Sequence, residues 1–315
     1  MKILLFGKGG QVGWELQRSL SPLGELVALD FDSVDYCGDF TQLEALADTV
    51  RQIRPDVIVN ASAHTAVDKA ESEPDLTRTL NALAPARLAQ EAAALGAWLV
   101  HYSTDYVFDG SGSTPWVETD LPAPLSVYGR TKLEAEQLIQ ASGCKYLIFR
   151  TSWVYAARGG NFAKTMLKLA QSRETLNVID DQIGAPTSAE LLADVTAHAI
   201  RQVVLQDTAN AKRGDSNNFI SPVISGIYHL VAKGSISWFE YANTTLALAN
   251  NTKFATNIIA KSIQPISTSA YPTAAQRPLN SRLNTQKLEE TFNLTLPDWK
   301  PGVERMLTEF IDNQA

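Results

Sequence analysis

Tyr128 and Lys132 lie four residues apart in the run YGRTK, which puts a phenol and an ammonium on one face if the segment is helical. A free phenol titrates near pH 10. Making it a working proton donor and acceptor near neutrality takes about 4 kcal/mol of differential stabilisation, much of which a cation in a partly dry site can supply. Thr104, in residues 103–110 (STDYVFDG), adds a hydroxyl placed to bond a carbonyl oxygen that the tyrosine protonates. Three such groups protonate an oxygen as electrons arrive at the adjoining carbon. They do not supply the electrons.

A source of electrons is indicated at the other end of the chain. Residues 7–13 (GKGGQVG) place glycines at 7, 10 and 13 with one more at 9, directly after the short apolar run 3–6. Glycine there permits a tight turn and a close approach of backbone to pyrophosphate, and the helix that follows offers unpaired N–H groups to the phosphates. Asp30 closes the next apolar run, where a carboxylate can accept hydrogen bonds from an adenosine ribose. Its charge favours the ribose diol of NADH over the 2′-phosphate of NADPH, since Phe31 and Asp32 follow it and no arginine does. Lys8 in the turn could still serve a phosphorylated cofactor.

The elements that must carry these groups are legible as alternating periods. Residues 3–6, 26–29, 57–59, 98–103 and 146–149 are short apolar runs of the kind found in strands buried on both faces. Helical spacing fills the gaps at 12–20, 41–53, 80–95 and 128–139, and Thr41 and Glu44 have capping-box spacing. This β-then-α rhythm predicts an α/β, Rossmann-type doubly wound parallel sheet over residues 1–150. Residues 151–315 read as a smaller α/β substrate lobe with helices at 162–172, 189–204 and 238–248 and a strand at 227–231, with some elements expected to return to the first sheet. Ser237 and Glu240 form a second capping-box pair, and 207–218 (DTANAKRGDSNN) reads as a mobile surface insertion.

Composition removes several classes of function. The chain has 315 residues, 45% hydrophobic and 19% charged, with a net charge of −7, so a nucleic-acid backbone is not its partner. Cys37 and Cys144 are too few for a disulfide framework and lack zinc spacing. No apolar run approaches the roughly 18 residues needed to span a bilayer, and none resembles a signal-peptide core. A cytoplasmic protein acting on a small molecule is expected. His101, His198 and His229 sit within strand or helix patterns as structural residues.

The glycine turn, STDYVFDG and the Tyr-x-x-x-Lys pair together resemble the extended short-chain dehydrogenase/reductase family. Residues 60–71 (NASAHTAVDKAE), 150–155 (RTSWVY), 181–187 (DQIGAPT) and 277–281 (RPLNS) narrow the resemblance to that family's dTDP-4-dehydrorhamnose reductases, along nearly the whole chain. The resemblance implies hydride transfer from NADH or NADPH to the C4 ketone of dTDP-4-dehydro-L-rhamnose. Tyr128 would protonate the alkoxide, Lys132 would acidify the tyrosine and bond the nicotinamide ribose, and Thr104 would orient the carbonyl. It further assigns Gly10, Gln11, Val12, Asp30, Asp39, Phe40, Ala63, His64, Thr65 and Tyr102 to the dinucleotide, and Asp105 and Trp153 to the sugar. His64 stands where tyrosine is usual and is read as a packing replacement. Family members also place Mg2+ at a homodimer contact, to which Glu190 corresponds.

Arg277 is a further expectation, as a guanidinium able to grip the diphosphate of a nucleotide sugar; its alternative is a salt bridge. Two other functions share these signatures. One is a different nucleotide-sugar enzyme of the same fold, although Tyr106 occupies the place after Asp105 where a dehydratase carries a second acid. The other is a reductase-like regulatory subunit without activity.

Overall fold

The structure, a computed structural model, describes residues 1–213, 224–252 and 256–312. Its centre is a six-stranded sheet made of β1 (Lys2–Phe6), β2 (Glu25–Leu29), β3 (Val57–Asn60), β4 (Trp98–Thr104), β5 (Lys145–Thr151) and, from much later in the chain, β10 (Gly226–His229). The order is β10-β5-β4-β3-β1-β2 and every pairing is parallel. Strands in the middle of such a sheet must be apolar on both sides, and Ile3 to Phe6 and Val57 to Val59 are fully buried. The chain leaves β1 for β2 on one side and then returns past β1 to β3 on the other. The crevice at the carboxyl ends of β1 and β3 is therefore the place where a doubly wound sheet binds ligands.

Helices cover both faces. One layer is α1 (Gln11–Leu20) with α8 (Ala189–Arg213), where Leu16 and Leu20 pack with Leu192, Ala199 and Ile200 over the sheet. The other is α2 (Leu43–Ile53), α5 (Ala84–Leu95) and α6 (Val127–Ala141), with Leu46, Leu88 and Ile139 against Leu4, Ile58 and Leu99. The short helices α3 (Val67–Ala70) and α4 (Pro74–Arg78) follow β3.

After β5 come β6 (Val154–Tyr155), α7 (Phe162–Ala170), β7 (Thr175–Ile179), β8 (Ile183–Gly184) and β9 (Thr187–Ser188) before α8. Beyond β10 are β11 (Ile236–Ser237), α9 (Trp238–Asn250), β12 (Ser262–Ile266), α10 (Gln286–Phe292) and α11 (Trp299–Asp312). Here α7, α9 and α11 close a second apolar core around Leu167, Tyr241, Val303 and Leu307. Both β10 and α8 come from residues 151–315 yet build the first sheet and its cover.

Three local expectations are corrected. The 41–53 helix begins at Leu43 with Gln42 as its cap residue, and Asp39 accepts from the Thr41 N–H and hydroxyl and the Gln42 amide instead of a Thr41–Glu44 box. The expected 80–95 helix starts with a π turn, Thr79–Leu83, and only then becomes α5. Pro85 has no N–H for the carbonyl four residues back, so regular α pairing cannot run through this point. Finally, 207–213 are the last turns of α8. Asp207 is tied down by the Trp98 indole N–H at 2.8 Å and Lys145 at 2.7 Å, contacts that polar composition does not reveal. The rest of the expected insertion, 214–218, lies outside the described residues. The capping box of Ser237 and Glu240 forms as expected.

Candidate active site

The glycine turn joins β1 to α1 as the residue types require. Gly7 has φ +86°, and a Cβ there would sit 2.8 Å from the backbone of Ala61 and Ser62. At Gly13 a Cβ would run into the Gly7 carbonyl, so the helix can lie against the turn only with glycine at that place. No side chain caps the start of α1, and its first N–H groups stay available to an anion. Asp30, just past β2, folds over the turn: its Oδ2 accepts from Gly9 N–H at 2.8 Å and its Oδ1 from Phe31 N–H at 3.0 Å.

Above the carboxyl ends of β1, β3 and β4 opens a cleft of about 460 Å³. Gly10, Gln11 and Val12 form its floor on the α1 side, and Ala63 and Thr65 its wall beyond β3. Tyr102, Thr104, Asp105, Tyr128, Lys132 and Trp153 line the rest. Eleven of the positions expected at the site thus meet in one space. The Gln11 side-chain oxygen and the Thr151 and Ser152 hydroxyls in its lining are buried without a protein partner, as suits a cleft built for a polar ligand.

Ser126 caps α6 by accepting from Gly129 N–H at 3.1 Å, and this sets Tyr128 and Lys132 one turn apart on the cleft side. The Tyr106 ring meets Tyr128 edge-on at 5.7 Å. Burial pushes the Tyr128 phenol up to about 12, while a hydrogen bond with Thr104 pulls it back. Burial also draws Lys132 down to about 7, with Glu136 opposing it. Lys132 Nζ lies 3.1 Å from His101 Nε2. The lysine is therefore engaged with a histidine that sequence reading set aside. His198 and His229 do serve structure, against the carbonyls of Phe292 and Trp116.

Asp105 sits at the end of β4, 2% exposed, and burial raises its carboxyl to about 7. Trp153 holds φ +50°, a conformation that a bulky residue keeps only when its surroundings impose it. The imposing groups are Gly184, where any Cβ would strike the indole, and Trp238, whose ring stacks on Trp153 at 3.5 Å. Trp238 lines the cleft as well. It was not foreseen, and a tryptophan directly after a helix cap in the second lobe was the available signal.

Other expected positions fall outside the lining. Gly7 and Gly13 lie beneath the turn. Phe40 packs edge-on against Phe6, and Asp39 caps the backbone before α2. The His64 main chain is clamped on both sides by Asn81, its N–H donating at 2.7 Å and its carbonyl accepting at 3.0 Å. Arg277 is not in the lining and forms a two-pronged ion pair with Asp68, at 2.6 and 3.2 Å. Glu190 faces Arg305 at 3.6 Å. Among the described residues no group of three His, Cys, Asp or Glu could hold a metal, so this chain alone does not form the expected Mg2+ site.

Comparison with known proteins agrees with this geometry. The RmlD substrate binding domain family matches residues 1–311. A dTDP-4-dehydrorhamnose reductase of Shigella flexneri is 56% identical over 315 residues, covering 100% of both chains. The chain belongs to the RmlD family. A solved family structure from Clostridium acetobutylicum, a dTDP-4-dehydrorhamnose reductase, superposes with TM-score 0.80 at 36% identity, covering 100% of this chain and 99% of that one. Another, from Bacillus anthracis in complex with NADP, has TM-score 0.80 at 33% identity, covering 98% and 99%. A UDP-glucose 4-epimerase of Thermus thermophilus shares the fold, with TM-score 0.75 at 18% identity over 99% of each chain.

Proposed function

We propose that the protein reduces the C4 ketone of dTDP-4-dehydro-L-rhamnose to dTDP-L-rhamnose with NADH or NADPH. The observation that carries this reading is the convergence of Thr104, Tyr128 and Lys132 beside the glycine turn in a chain of the RmlD family. The reduced nicotinamide, when bound, supplies the hydride. The uncapped start of α1 with Gly10, Gln11 and Val12 would hold its pyrophosphate, and Asp30 the adenosine ribose.

The residues of the chain then have separate tasks. Thr104 orients the carbonyl by donating to its oxygen, and Tyr128 O–H delivers the proton that turns the C4 alkoxide into a hydroxyl. Lys132, once charged, offsets the phenolate left behind. Trp153 and Trp238 present a flat apolar wall to one face of the sugar, and Asp105 can bond a sugar hydroxyl. Elimination of water is disfavoured, since Tyr106, and not a second acid, follows Asp105 and its ring is held against Tyr128. The enzyme would work in the cytoplasm, without nucleic acid, and as a homodimer if Glu190 contributes to a shared Mg2+ contact.

The test is the loss of reduced-nicotinamide absorbance on adding authentic dTDP-4-dehydro-L-rhamnose, with NADH and NADPH tried separately. Turnover with product dTDP-L-rhamnose is expected. No ketone-dependent oxidation with either cofactor, together with copurification of a larger catalytic chain, would favour a regulatory subunit instead.

A further inference from the structure

His101 lies on β4, fully buried and outside the cleft lining. Two side chains flank it. Its Nδ1 is 3.0 Å from Asn60 Nδ2, and its Nε2 is 3.1 Å from Lys132 Nζ. The orientation of Asn60 is settled by a third contact, because its Oδ1 accepts the Ser62 N–H at 2.9 Å and so turns the NH2 group toward the ring.

An NH2 group can only donate, so Nδ1 must accept, and a neutral imidazole then carries its one proton on Nε2. That N–H points at the lysine. A lysine nitrogen accepts a hydrogen bond only through its lone pair, as a neutral amine; an ammonium would set N–H against N–H. The donors thus run in one direction, from Ser62 through Asn60 and His101 to Lys132.

We propose that His101 is a positioning residue for Lys132: locked by Asn60, its Nε2–H holds the lysine amine at the cleft and governs when that amine takes up a proton. The surroundings agree. Burial keeps the imidazole neutral, well below its ordinary range, and draws Lys132 down to about 7. The groups facing the lysine are His101 from β4 and Glu136 from its own helix, and Glu136 is itself bound by Arg150 of β5 at 2.6 and 2.9 Å. The chain also joins the loop after β3, which carries Ala63 and Thr65, to the catalytic lysine. Binding of anionic ligands would then supply the reason for the amine to become charged.

The activity test rests on the proposed reduction. His101→Gln can turn an amide oxygen toward Lys132, and Asn60→Asp accepts from Nδ1–H and so leaves Nε2 as an acceptor. Both replace a donor to the lysine by an acceptor. The alkaline limb of kcat against pH for keto-sugar reduction is expected to move to higher pH by about one unit or more in each. A limb that stays in place while kcat falls uniformly, or one that moves to lower pH, overturns the proposal.

A second measurement needs no turnover. Nitrogen NMR of the cofactor-free wild-type enzyme with labelled histidine, His101 being assigned through its covalent neighbours, is expected to show the Nε2–H tautomer without titration between about pH 6 and 8. A proton on Nδ1, or an imidazole that titrates in that range, overturns the proposal even if the enzyme reduces the keto-sugar as expected. Should the keto-sugar not be a substrate, this spectrum still decides the role of His101.

Discussion

At the scale of single residues the site depends on burial as much as on residue type. Burial pushes Tyr128 to about 12 and Lys132 to about 7, each away from its charged form. Tyr128→Phe is expected to keep cofactor affinity near wild type while lowering kcat by about 10²- to 10⁴-fold, the usual worth of a positioned proton donor. Near-normal turnover in steady-state assays would remove the phenol from the reaction. Asp105 gives a pH test. Its carboxyl is raised from 3.8 to about 7, so the folded protein keeps a proton that the unfolded chain has released, and the stability linked to this group falls as pH rises from about 4 to 7. Denaturant melts of Asp105→Asn should lack that decline, the curves for the two proteins diverging by up to about 1.4 kcal/mol per pH unit. Parallel curves would mean that Asp105 titrates normally. Asp30→Ala removes one negative charge from beside the adenosine ribose and is expected to shift the ratio of specificity constants toward NADPH by about fivefold, or 1 kcal/mol. An unchanged ratio would show that Asp30 only locks the glycine turn through Gly9.

Elements place these residues, and their register was largely readable. The strand, turn and helix from β1 to α1, and the one-turn spacing of Tyr128 and Lys132 on α6, follow from local pattern. What local pattern hides is contact between elements. Glu136 of α6 and Arg150 of β5 form a two-pronged ion pair with both side chains nearly inaccessible, 1% and 3% exposed. A buried pair tolerates replacement of both members better than loss of one, which strands the other charge. Glu136→Gln is therefore expected to cost about 3–5 kcal/mol in chemical denaturation, with the packing of α6 on β5 and the setting of Lys132 both loosened. A loss under about 1 kcal/mol would show that water reaches Arg150. The added turns of α8 escaped the sequence for the same reason, Asp207 being held by Trp98 and Lys145, whereas the π turn before α5 has a local cause, Pro85 acting four residues back.

For the whole molecule, the cleft is a joint product of two apolar cores. The first, on both faces of the six-stranded sheet, positions the glycine turn, Thr104, Tyr128 and Lys132, and the second brings Trp238 onto Trp153. Trp238→Ala should leave the first core and the cofactor floor untouched yet release Trp153 from its enforced backbone shape. The expected result is a rise in KM for the keto-sugar of about tenfold, equivalent to about 1.4 kcal/mol of lost stacking, with cofactor affinity kept; equal losses for both ligands would point to a general loosening of the lobes.

By itself the sequence determined the sheet class, the glycine turn with Asp30 after it, and the placing of Thr104, Tyr128 and Lys132, because each depends on spacings of a few residues or on strand-helix alternation. Tertiary structure decided whom those groups face. Lys132 meets His101 across 31 positions, and Arg277 is taken up by Asp68 across 209. Such partners are chosen by which strand lies beside which, and by the cost of burying an unpaired polar atom, neither of which a local pattern records.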